Sequence, residues 1–145
     1  MTEPRFIDPS IATWPLEPAH LLGGECNECG AVEFPAPRAC PACGAADIDS
    51  VELPDRGAIW TYTVQGFPPP APPYLGPSSA ETFQPFAVAY VELGPVLVEG
   101  PVLGDPTTVR IGDAVTVVFP TLGPDESGCD VVSFAFARAT ERVRA

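Results

Sequence analysis

Apolar and polar positions alternate clearly only in the second half of the chain. Residues 58–64 carry β-branched and aromatic side chains and follow a turn at Gly57, which predicts a strand. Residues 86–93 predict a second strand and residues 96–103 a third, joined by the turn signal Gly94-Pro95. Residues 114–119 predict a fourth after Ile111-Gly112-Asp113, and residues 131–136 a fifth. Five strands in about 80 residues with short turns predict a small barrel, closed or nearly so. A five-stranded Greek-key barrel is the simplest member of that class. The aromatic residues Trp60, Tyr62, Tyr90 and Phe119 fall in these strands and are expected in the barrel core or on its face.

The first half reads differently. Residues 1–22 form a proline-broken arm in which residues 16–22 could hold one or two helical turns with Pro18 near their start. Too short for its own core, the arm is expected to lie against another surface or stay mobile. Residues 23–47 hold four cysteines, and residues 48–145 make up the barrel domain. Two connections are long: residues 66–85, rich in proline, and residues 122–130, rich in glycine and containing Cys129.

The cysteines carry the strongest chemistry. Cys26 and Cys29 form one Cys-x-x-Cys pair followed by Gly30; Cys40 and Cys43 form another followed by Gly44, with ten residues between the pairs. Each pair can put two thiolates on one metal from a tight turn, and the glycine lets the backbone turn with positive φ so that amides point at sulfur. Four thiolates in two knuckles match tetrahedral structural zinc, and a closed shell leaves no open position for chemistry. Iron in the same shell would give a rubredoxin-like electron carrier. A ribbon of this size cannot bury a core alone, so the metal must supply much of its folding energy.

Composition narrows the possibilities further. In 145 residues the net charge is -12, and all seven basic residues are arginines. Nucleic-acid binding calls for clustered cations, and the nearest approach to a cluster is Arg138, Arg142 and Arg144 in the tail. A nucleic-acid-binding OB-fold module is thus a remote alternative. No run approaches the roughly 20 apolar residues that cross a bilayer. No charged region followed by an apolar stretch opens the chain, so a cytoplasmic location without membrane attachment is expected. The single histidine, His20, has no Asp or Ser pattern beside it, and lysine is absent. Cys129 is flanked by Asp125, Glu126 and Asp130, which would raise a thiol pKa. The chain is therefore poorly equipped to catalyse a reaction alone. Phe67, Tyr74 and Phe83 sit on the proline-rich loop, where they either meet a partner or ligand or fold back over a barrel end.

The order of these motifs resembles a known family. Cys26-x-x-Cys29-Gly30, Phe34-Pro35-x-Pro37-Arg38, Cys40-Pro41-x-Cys43-Gly44, Arg56-Gly57, the strand after it, and Val109-Arg110-Ile111-Gly112-Asp113 follow one another as in acyl-CoA-associated proteins with a rubredoxin-like zinc ribbon and an OB-fold (domain-of-unknown-function family 35). The resemblance runs from about residue 16 to about 137. It implies a structural zinc ion on Cys26, Cys29, Cys40 and Cys43. It also implies a non-catalytic subunit, paired, as a heterotetramer, with a thiolase-like or lipid-transfer-type enzyme that makes or breaks carbon–carbon bonds in acyl-CoA thioesters. The small subunit would stabilise the large one and help shape a shared acyl-CoA channel. Contacts to the CoA ester or partner would then come from Arg38, Arg56, Phe67, Tyr74, Phe83 and Arg110.

Overall fold

The computed structural model describes residues 3–68 and 83–138. Among them run β1 (Arg5–Phe6), a 3₁₀ turn (Pro9–Ile11), β2 (Leu22–Cys26), β3 (Val32–Glu33), β4 (Ile48–Glu52), β5 (Arg56–Gln65), β6 (Phe86–Leu93), β7 (Val96–Val102), a second 3₁₀ turn (Pro106–Thr108), β8 (Ala114–Val118), β9 (Thr121–Pro124), β10 (Asp130–Val132) and β11 (Ala135–Arg138). They form a three-stranded ribbon sheet β3-β2-β4, a closed barrel β11-β7-β6-β5-β8, and a three-stranded flap β1-β10-β9. The barrel has the OB-fold order: its first three strands form a meander, and the last runs parallel to the third, with Phe136 opposite Val102.

Period-two alternation builds the barrel. Ala87, Ala89, Val91 and Leu93 of β6 point inward and are buried, as are Val96, Val98, Gly100 and Val102 of β7. The two strands meet at a two-residue turn that needs the φ of +62° adopted by Gly94. Strand β5 is bent and shared, pairing with β6 along most of its length and with β8 at Arg56, Gly57 and Ala58. Where it crosses from one neighbour to the other, a Cβ on Gly57 would collide with the Glu92 carbonyl, so no larger residue fits without moving backbone. Phe136, fully buried, fills the barrel centre.

The arm and the ribbon share this core. Phe6 packs its ring 6.1 Å from Trp14 and 6.0 Å from Phe119. β1 adds a parallel strand to β10. Leu21 and Leu53 are buried within the barrel's own hydrophobic cluster, and the Leu53 amide donates to the Leu21 carbonyl at 2.9 Å. Phe34 of the ribbon meets Phe134 edge-on at 6.1 Å.

Three sequence expectations differ from the structure. Residues 16–22 are not helical; the arm's short helix is the 3₁₀ turn Pro9–Ile11. Pro15 and Pro18 lack amide hydrogens for a helical ladder, and the segment instead closes through Thr13 N–H to His20 O and a bridge between Ala12 and Leu21. The expected strand 131–136 is two strands: β10 belongs to the flap, and β11 closes the barrel. The expected loop 122–130 is largely a hairpin, β9 to β10.

Asp125 holds that hairpin's tip. Its Oδ1 accepts from Ser127 Oγ at 2.7 Å, Ser127 N–H at 2.9 Å and Cys129 N–H at 3.0 Å, and its Oδ2 from Arg5 Nε at 3.1 Å. These bonds, led by the Ser127 hydroxyl, bring its carboxyl down to about 2. The unfolded chain holds this proton more tightly, so the stabilisation is complete above about pH 4 and is lost as pH falls toward about 2. Asp125→Asn should flatten that part of the acid limb. Urea midpoints measured from pH 5 to pH 2 check this, and parallel curves for the two proteins would disprove it.

Candidate metal centre

Two copies of one backbone turn build the site. In the first, the Gly30 amide donates to the Cys26 carbonyl at 2.9 Å, and the Cys26 amide to the Ala31 carbonyl at 2.9 Å. In the second, Gly44 donates to Cys40 at 2.7 Å and Cys40 to Ala45 at 2.7 Å. Gly30 and Gly44 take φ of +83° and +81°, the left-handed conformation the sequence assigns them. Asn27 ties the first knuckle to the start of β4, its side chain donating to Asp47 Oδ1 at 2.9 Å.

The four Sγ atoms lie within 4.8 Å of one another, and the Cys26–Cys43 and Cys29–Cys40 pairs are both 3.6 Å apart. A tetrahedron with metal–sulfur bonds of about 2.3 Å has edges of about 3.8 Å, so these two pairs lie close to the edge length of a zinc site. Backbone amides already serve the sulfurs, such as Glu28 N–H on Cys26 Sγ at 3.4 Å. Four thiols this close conflict without a cation. Cys40, taking the Cys43 and Ala42 amides, is drawn down to about 7. Cys29, although it receives the Ala31 amide, is pushed up to about 12 by its neighbours Cys40 and Cys43. A divalent cation removes the conflict by favouring all four thiolates. Cys26 and Cys40 are buried, whereas Cys29 and Cys43 are exposed.

The other residues singled out in the sequence lie outside the metal centre. Among the described residues, no hydrogen bond or ion pair joins any two of Arg38, Arg56, Phe67, Phe83 and Arg110, and Tyr74 lies outside them. Arg38 is exposed between the two knuckles, and Arg56 is exposed at the start of β5. Phe67 is 74% exposed, while Phe83 is buried with its ring 6.0 Å from that of Phe86. Arg110 turns back on its own loop, donating to the carbonyls of Val109 at 2.9 Å and Thr107 at 3.2 Å. Cys129 is buried and donates to the Glu3 carbonyl at 3.0 Å. His20 stands 4.0 Å from Glu52. Arg138 is buried against Asp113 and Asp105, so it adds nothing to a basic surface. Of the two places the sequence left open for Trp60, core or barrel face, it takes the face: a β-bulge between Ile59 and Thr61 makes it the extra residue of β5, 58% exposed. No helix among the described residues is long and apolar enough to cross a membrane.

Comparison with known proteins agrees with this architecture. Residues 14–49 match the ChsH2 rubredoxin-like zinc ribbon domain and residues 50–120 the ChsH2 C-terminal OB-fold domain. A DUF35 domain-containing scaffold protein of Methanothermobacter thermautotrophicus is 30% identical over 132 residues, covering 88% of this chain and 92% of that protein. The benzoylsuccinyl-CoA thiolase subunit BbsA of Thauera aromatica is 24% identical over 136 residues, covering 92% of this chain and 88% of that subunit. Among solved structures, the Ltp2-ChsH2(DUF35) aldolase contains a chain with a TM-score of 0.60 and 26% identity, covering 83% of this chain and 85% of that one. The chain belongs to the DUF35 family of proteins with a ChsH2-type rubredoxin-like zinc ribbon, carrying structural zinc, ahead of an OB-fold domain.

Proposed function

We propose that this chain is the zinc-containing, non-catalytic subunit of a thiolase-fold enzyme acting on acyl-CoA thioesters. The observation that carries the reading is the similarity to a thiolase subunit across both the ribbon and the barrel. The chemistry of the described residues supports it. Four of the five cysteines converge on the metal site, the fifth gives its S–H to a backbone carbonyl, and the His20 imidazole stands 4.0 Å from the Glu52 carboxylate. No nucleophile stands beside a base in this set, so the large subunit supplies the reactive groups. This chain stabilises that subunit within a heterotetramer and lends one wall to its acyl-CoA channel. Phe67, exposed where the proline-rich connection begins, and Tyr74 within that connection are its apolar contribution, with Phe83 anchoring the far end. Arg38 and Arg56, exposed and without an ion pair among the described residues, are the cations of this chain best able to meet CoA phosphates, and Arg110 is less free to do so.

Co-expression with the thiolase-like product of a neighbouring gene tests this. The two chains should co-elute, and the carbon–carbon bond-cleaving activity should fall at least tenfold when this chain is omitted. Separate elution with unchanged activity would refute the reading.

A further inference from the structure

The barrel has an outer face with no occupant among the described residues. Along β6, Ala87, Ala89 and Val91 point inward, so Val88, Tyr90 and Glu92 point outward. The register sets Tyr90 between Thr61 of β5 and Glu99 of β7, Val88 between Thr63 and Pro101, and Glu92 beside Leu97. Large apolar groups are exposed here: Trp60 at 58%, Tyr90 at 44% and Leu97 at 40%. Between β5 and β7 lies a hollow of about 180 Å³, about the size of one large side chain, walled by Thr61, Thr63, Val88 and Tyr90 and ending at Glu99. Neither Glu92 nor Glu99 has an ion pair or side-chain hydrogen bond among the described residues.

We infer that this face docks the thiolase-like large subunit and that the hollow receives an arginine side chain from it. The inference rests on the reading of the chain as a subunit and adds where, and through what chemistry, the partner is held. An aromatic wall ending in a free carboxylate suits a guanidinium, which stacks on a ring while pairing with a carboxylate. Charge selects the occupant. A nucleic acid would bring phosphates against Glu92 and Glu99, and a second copy of this chain would bring another net charge of -12. A partner with basic residues around an apolar patch complements the face. Three strands over five residues span about 250 Å², roughly a third of one side of a standard interface. The patch is therefore the centre of a larger contact, where aromatic and arginine anchors concentrate.

The test compares the wild-type pair with three variants of this chain, each co-expressed with the large subunit and each checked for zinc content and thermal midpoint. Glu99→Arg should abolish co-elution. Glu99→Gln, which keeps the shape, should weaken association about tenfold and remove most of its salt dependence. Leu122→Glu, at an exposed apolar site on β9, should change neither. If both Glu99 variants bind as tightly as wild type, the docking face is wrong while the subunit reading stands. If the wild-type chains elute apart, the subunit reading itself fails. A homodimer that Glu99→Arg disrupts, or a shift of single-stranded DNA at micromolar protein, would overturn the choice of occupant.

Discussion

Replacing Cys40 with Ser should empty the metal centre and unfold the ribbon while the barrel persists. Cys40 is buried, and its sulfur lies 3.6 Å from that of Cys29 on one edge of the donor tetrahedron. A serine oxygen is a far poorer zinc ligand than a thiolate, and three remaining thiolates leave the shell open. Structural zinc contributes apparent free energies of about 10–16 kcal/mol in small zinc domains, more than the strands β2, β3 and β4 could replace by burial. Among the described residues, Leu21, Leu53, Val32 and Phe34 link that region to the barrel core by packing. Zinc should therefore fall from one per chain toward zero on dialysis against chelator. Amide exchange should accelerate across β2 and β4 while β6 and β7 keep their protection. Retained zinc together with unchanged protection in β2 would contradict this account of the ribbon.

Phe136→Ala should cost about 3–5 kcal/mol, a large share of the 5–15 kcal/mol that holds an ordinary domain folded. The side chain is fully buried in β11, the strand that closes the barrel by pairing with both β7 and β8. Its ring stands 6.0 Å from that of Phe134, nearly perpendicular to it. It also occupies space made by a missing side chain: a Cβ on Gly100 would lie 2.8 Å from Phe136 and 2.9 Å from Phe134. Gly100→Ala alone should therefore destabilise by overpacking, and in the Phe136→Ala background its cost should shrink because one of the two obstructing rings is gone. Thermal midpoints of the four proteins read this out, with Phe136→Ala lower than wild type by about 10 °C or more. Strict additivity of the two changes would argue against a shared site.

What the sequence reveals, and what it hides, follows from where each signal is local. The meander β6–β7 is legible because its alternation is strict and its turn residues are Gly94 and Pro95. The metal centre is legible because each knuckle is a local turn whose glycine has a local task. The division between β10 and β11 is hidden: Val131, Val132, Ala135 and Phe136 are all buried, and the one polar residue at the break, Ser133, is no more than an alternating strand would carry. Likewise β1, two residues long, exists through its partner β10, about 125 positions away. The bulge at Trp60 shifts the phase of β5 by one residue, and a run of β-branched and aromatic residues carries no mark of it. Phe83 is buried with its ring 6.0 Å from that of Phe86, which the proline-rich stretch before it does not announce. Arg110 is consumed by carbonyls one and three residues away, which spacing alone does not announce.

The subunit claim is tested most directly by the light-scattering mass and metal content of the material eluting when this chain is co-expressed with its thiolase-like neighbour. The account predicts one peak containing both chains, a mass equal to two copies of each, and one zinc per copy of this chain. Two separate peaks, with the large subunit fully active on its own, would contradict it.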